Sequence, residues 1–122
     1  MIAFLKTRAA ADHIYRHVPN DRTRRSALAV LSQLNRCEAA VADQTGNGNS
    51  PVTISALLRG LISATADLAG PEWLTAHHDD PAAAGFTALR QADDLPDPVV
   101  IDDVLSGLLW ARYAPAQPQQ NP

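Results

Sequence analysis

The chain has 122 residues, 46% of them hydrophobic and 19% charged, with a formal net charge of −3. This is ordinary composition for one globular domain and excludes a chain that is disordered throughout. The single cysteine, Cys37, excludes an intrachain disulfide. Since the N-terminal apolar run is also too short for the core of a secretory signal, we expect a cytoplasmic location.

Two amphipathic helices are predicted in the first third of the chain. The apolar spacing indicates one helix over 2–18 and a second over 22–43, with Asp21 as the cap of the second. The inner face of the second helix includes Cys37, which is therefore expected to be a buried, unreactive thiol.

The stretch 50–70 is predicted to be the helix around which the others pack, because it is apolar on most of its circumference. Ser50 before Pro51 is typical of a helix start, and Gly70 before Pro71 is typical of a helix end. Arg59 falls in the remaining polar sector and is expected to reach solvent or a carboxylate. A membrane span is not expected, because charged residues interrupt the apolar run.

Shorter elements follow this helix. A single helical turn is predicted over 71–77 and a short helix over 81–93, capped by Asp80. Asp97-Pro98 opens the last helix, whose apolar arc is expected to be Val100, Ile101, Val104, Leu105, Leu108 and Leu109. No segment alternates like a strand, so the predicted fold is all-α: a small orthogonal or up-down bundle of four to five helices. The single domain covers 1–114, and the Pro/Gln-rich residues 115–122 are expected to be a disordered tail.

The last helix carries an aromatic pair on its polar side. Trp110 and Tyr113 are three residues apart and share that side with Asp102 and Asp103. If the pair is exposed, these four residues form a candidate partner-binding site, because interfaces favour aromatic anchors. The alternative is that the first helix covers the two aromatic rings.

Charge is divided unevenly along the chain. Residues 1–36 contain seven Lys and Arg against two carboxylates, a net +5, whereas residues 37–122 contain three Arg against eleven carboxylates, a net −8. The cations of the first part make up a second candidate site, for nucleic acid or an acidic protein partner: Arg22, Arg25, Arg36, Lys6 and Arg16. The simplest alternative is that the two parts of the chain neutralise each other, within one molecule or in an oligomer.

Catalytic and metal-binding motifs are incomplete. His13 and His17 are four residues apart, but Ile14 stands where a zinc protease has its general base. The pair His78-Asp79 resembles the His-Asp pair of metal-dependent phosphohydrolases, a resemblance that implies a metal-dependent hydrolase. Here the pair precedes a helix-starting proline, which favours a role for the neighbouring aspartates in capping that helix.

The sequence therefore predicts a non-catalytic interaction or assembly module that docks a protein partner or a second copy of itself. The alternative is an accessory or regulatory protein that binds nucleic acid through the arginines. No enzyme activity, cofactor, metal, membrane contact or small-molecule substrate is expected.

Overall fold

The computed structural model describes residues 4–42 and 51–113, and these residues form six helices and no strand. The helices are α1 (Leu5–His17), α2 (Asp21–Ala42), α3 (Pro51–Ala69), α4 (Pro71–Ala76), α5 (Pro81–Gln91) and α6 (Pro98–Tyr113). The all-α expectation is confirmed, and α4 is the predicted single turn. Residues 115–122, predicted to be a tail, and the predicted cap Ser50 lie outside the described residues. None of the helices that the structure describes is long and apolar enough to cross a membrane.

The helix boundaries follow local capping chemistry. Asn20 accepts a hydrogen bond from the Thr23 amide at 2.9 Å, so Asn20, and not Asp21 as predicted, caps α2. Asp80 caps α5 as expected, accepting from the Ala82 amide at 2.8 Å. Gly70 separates α3 from α4 with a φ of +96°, a conformation that disfavours any side chain.

The helices pack on one shared core of aliphatic residues and alanine, with two phenylalanines. The predicted inner faces of α1 and α2 are buried, including Ile14, Val30 and Leu34. Because small and branched aliphatic side chains dominate, close approach of helix backbones supplies much of the burial.

The centre of the fold is shared by α3 and α6, which corrects the expectation that α3 alone is central. α3 packs against α2, α4 and α6, whereas α6 packs against α1, α3 and α5. Both sides of α6 are covered, since Leu105 and Leu108 are buried on its apolar side and Asp102 and Ser106 on its polar side. A polar side chain on this helix is therefore no sign of exposure to solvent.

Neighbouring helices cap each other's ends. Arg59 of α3 donates to the carbonyl oxygens of Arg90 (3.3 Å), Ala92 (2.6 Å) and Asp93 (3.2 Å), which follow or end α5. Arg59 stays out of the core, as predicted, but its guanidinium binds carbonyl oxygens and not a carboxylate, because the last carbonyls of a helix lack partners of their own and attract cations.

Candidate interaction surfaces

The aromatic pair of α6 is largely used inside the fold. The Trp110 ring lies 5.1 Å from the ring of His13 on α1, and Trp110 is half-buried. The Tyr113 hydroxyl donates to the Leu68 carbonyl oxygen at 2.7 Å, and the adjacent Arg112 donates to the Ala69 carbonyl at 3.2 Å. The C-terminal residues of α6 thus cap the C-terminus of α3. The alternative that the first helix covers both rings holds for Trp110, which lies against α1, whereas Tyr113 is held by the end of α3.

Asp102 is an internal cap for α1. Asp102 is only 7% exposed, and its Oδ1 accepts hydrogen bonds from the Thr7 amide (2.7 Å) and the Thr7 hydroxyl (2.6 Å). Oδ2 accepts from the Lys6 amide at 3.1 Å. Phe4, which precedes α1, adopts a left-handed conformation and offers no side-chain cap. Asp102 therefore caps α1 from a distant part of the sequence, whereas a helix is normally capped by a Ser or Asp at its own N-terminus. The Asp102 carboxylate is already hydrogen-bonded within the chain.

Asp103 remains at the surface and pairs with one of the candidate cations. Its Oδ1 lies 2.8 Å from Nζ of Lys6, with both side chains more than half exposed. The hydrogen bond and the charge of Asp103 raise the pKa of Lys6. Two residues predicted to contact different partners thus contact each other, as the neutralisation alternative expected.

The other candidate cations differ in what surrounds them. Arg16 pairs with Asp12 one turn earlier on α1, at 3.0 Å. Arg22, Arg25 and Arg36 are exposed on α2, and none of them takes part in an ion pair between residues that the structure describes. Among the described residues, the acidic part of the chain therefore forms no ion pair with this side of α2.

Exposed leucines lie on α1 and α2, and Arg24 and Arg25 are one turn before Leu28 on α2. Leu5 of α1 is 62% exposed and Leu28 of α2 is 46% exposed. An open groove of about 350 Å³ between α1 and α2 is lined by Leu5, Ala9 and Leu31 together with Arg8 and Asp12. Leu28 lies one turn before Leu31 and so continues the apolar strip.

We call this surface the leucine–arginine face. It comprises three apolar and three cationic residues: Leu5, Leu28, Leu31, Arg24, Arg25 and Arg36. These leucines were not predicted to form an interaction surface, because the predicted inner faces follow only the most regular apolar spacing of each helix. The available signal was that Leu28 falls outside the inner arc of α2, next to Ala27.

A second apolar patch of opposite charge marks the start of α6. Val99 is 70% exposed and Val100 is 46% exposed. Three exposed aspartates, Asp93, Asp94 and Asp97, precede them, and none of these forms an ion pair between described residues. Val100 was predicted to lie on the apolar arc of this helix, but the first turn of α6 extends past the core. We call these five residues the valine–aspartate patch.

The histidines form no cluster with the other metal-binding side chains. No group of three or more His, Cys, Asp or Glu that could hold a metal ion occurs among the described residues. The rings of His13 and His17 are 4.5 Å apart, and His13 also lies against Trp110. His78 is in hydrogen-bond contact with the Thr75 carbonyl at 3.0 Å, on the loop that leads to the Asp80 cap.

Cys37 is buried, as predicted. Its Sγ donates to the Leu57 carbonyl oxygen at 3.3 Å. Burial, followed by the charge of Glu38, raises the thiol pKa to about 11. The nucleophilic thiolate is therefore scarce near neutral pH.

A polar cleft of about 410 Å³ lies where the start of α2 meets the ends of α3 and α6. It is lined by charges of both signs, Arg22 and Arg112 against Asp67 and Glu72. Trp73 on its wall stacks on His77 at 4.4 Å, so that ring is already occupied. The mixed charge gives the cleft no preference for an anion or a cation.

Comparisons of this chain with protein-family models, with curated proteins and with solved structures find no match. The leucine–arginine face and the valine–aspartate patch are therefore the features from which function can be inferred.

Proposed function

We propose that this protein is a non-catalytic interaction or assembly module, a small cytoplasmic helical bundle that docks a protein partner or another copy of itself. The observation that carries the proposal is the leucine–arginine face, where exposed leucines of α1 and α2 accompany arginines that form no ion pair with a described carboxylate. Interfaces are enriched in arginine, and a leucine strip supplies apolar area to bury.

The arginines of this face suit protein contact. The Arg24 guanidinium lies 5.0 Å above the centre of the Tyr15 ring, which holds this cation beside the apolar groove. A guanidinium held in this way loses less conformational entropy when it binds a carboxylate. The proposed partner therefore presents carboxylates around an apolar centre.

The aromatic site has a smaller part in this proposal. Trp110 and Tyr113 stabilise contacts between helices and are half-buried, so only the exposed part of each side chain can contact a partner. Alanine at Tyr113 removes the hydrogen bond to Leu68 and weakens the fold. Loss of association in that variant would not identify an interface.

A cleaner test changes Leu28 to aspartate. Leu28→Asp alters an exposed position in the middle of α2, and Ser63→Asp on α3 adds the same charge at another exposed helical position. With each protein immobilised, a partner from extract of the native cells, or the chain itself, should be retained by the wild type and by Ser63→Asp but lost from Leu28→Asp. Equal retention by all three proteins, with unchanged circular dichroism, contradicts the proposal.

Nucleic-acid binding is the second candidate, favoured by the exposure of Arg22, Arg25 and Arg36 along α2. It predicts binding to duplex DNA that weakens steeply with salt and is reduced when the three arginines become alanine. Leu28→Asp then has a much smaller effect than the triple alanine variant. No shift of duplex DNA at low salt removes this candidate.

A further inference from the structure

The valine–aspartate patch has the chemistry that the leucine–arginine face requires of a partner. Three exposed aspartates precede two exposed valines in the patch, and three exposed arginines share α2 with Leu28 and Leu31 of the face. Among the described residues, neither of the nearby cations forms an ion pair with these aspartates. Arg59 is engaged by three carbonyl oxygens, and the guanidinium of Arg90 lies 5.7 Å from the centre of the Phe86 ring.

We infer that the occupant of the leucine–arginine face is the valine–aspartate patch of a second copy of this chain. The inference rests on the proposed function and names its partner. Burial of leucines against valines supplies the apolar term, and the arginines pair with the aspartates at the rim. The positive part of one copy thereby pairs with the negative part of the next.

The contact is heterologous, because the two copies use different surfaces. Such contacts repeat, so each copy that docks offers a free face or a free patch to the next. The assembly grows with concentration into a closed ring or an open chain. The apolar centre has few side chains, so we expect a weak contact, with a dissociation constant on the order of 10 μM to 1 mM.

The patch is disrupted by Val99→Arg, for which Thr87→Arg on the exposed side of α5 is the charge control. Leu28→Asp disrupts the face, with Ser63→Asp as its control. All four substitutions are at exposed positions of helices, so the fold is expected to survive each of them. Circular dichroism and urea unfolding of every variant check this expectation.

The experiment is sedimentation velocity of the purified chain from low micromolar to about 1 mM, in about 50 mM and about 500 mM salt. We expect the wild type and both control variants to associate with increasing concentration, and at least fivefold more weakly at high salt because the rim charges are screened. Leu28→Asp and Val99→Arg should each remain monomeric alone. Mixed in equal amounts they should form a dimer that grows no further, since one intact face meets one intact patch.

Four results overturn the inference. A wild type that stays monomeric to about 1 mM at low salt excludes a second copy, although the capture experiment with cell extract still tests the proposed function. Association of Val99→Arg alone shows a contact between two identical faces. Association of Leu28→Asp alone overturns both this inference and the proposed use of the face. Duplex DNA bound by a chain that remains monomeric assigns the arginines to nucleic acid instead.

Discussion

Removal of the Asp102 carboxylate is expected to loosen α1 from its first turn. In Asp102→Ala, the amides of Lys6 and Thr7 lose their acceptor, and the Thr7 hydroxyl keeps only the backbone carbonyl oxygen of residue 102, at 3.2 Å. Loss of a helix cap costs about 0.5–2 kcal/mol, and each buried donor left without a partner costs about 1–3 kcal/mol. Since these effects overlap, we expect the free energy of unfolding to fall by about 3 kcal/mol, a large part of the stability of a small domain.

Urea unfolding followed by circular dichroism measures this loss. With a slope of about 2 kcal/mol per molar urea, the midpoint should fall by about 1.5 M. The adjacent Asp103→Ala is a matched control, because it removes a carboxylate that pairs with Lys6 in solvent and is expected to change the midpoint little. Equal midpoints for the two variants would refute the argument that Asp102 anchors α1.

Three further predictions concern the Cys37 thiol, the Arg59 guanidinium and two helical glycines. The pKa of Cys37 is raised from 9.0 to about 11, so the native state holds the thiol proton more tightly than the unfolded state does. The stability that this contributes is present below about pH 9 and should be lost as the pH rises towards 11. Urea midpoints measured across this range should therefore fall less steeply in Cys37→Ala than in the wild type. Arg59→Ala should lower stability by about 1–2 kcal/mol, while Arg59→Lys recovers part of it if the guanidinium caps α5. Gly107→Ala should raise the melting temperature with a gain of about 0.5–1 kcal/mol, because nothing lies within 4 Å of the new Cβ. Gly60→Ala places its Cβ 2.8 Å from Nε2 of Gln33 and should gain less, since that side chain must leave the carbonyl it binds.

Helix positions and inner faces could be predicted because they depend on local spacing. The buried arcs of α1 and α2, the single turn with Trp73, and the Asp80 cap all come from residues a few positions apart. The boundaries shifted where two residues compete for one role, as Asn20 and Asp21 do at the start of α2.

The candidate sites were harder to predict because their partners are distant in sequence. Asp102 and Tyr113 look misplaced on an amphipathic helix until α1 and α3 are seen to supply the donors and acceptors. Val100 follows the apolar spacing of α6 but lies beyond the area that the neighbouring helices cover, whereas Leu28 and Val99 fall outside the apolar arcs of their helices. Periodicity identifies an apolar face and cannot tell how far along a helix that face is buried.

The link between Thr7 and Asp102 joins residues 95 positions apart. During synthesis, α1, α2 and α3 leave the ribosome well before the aspartate that completes the first turn of α1. Until α6 docks, the start of α1 should fray. In a nascent chain halted before residue 98, α1 should therefore repeatedly attach to and detach from the rest of the fold. The last helix to be made therefore commits the first one to its final position.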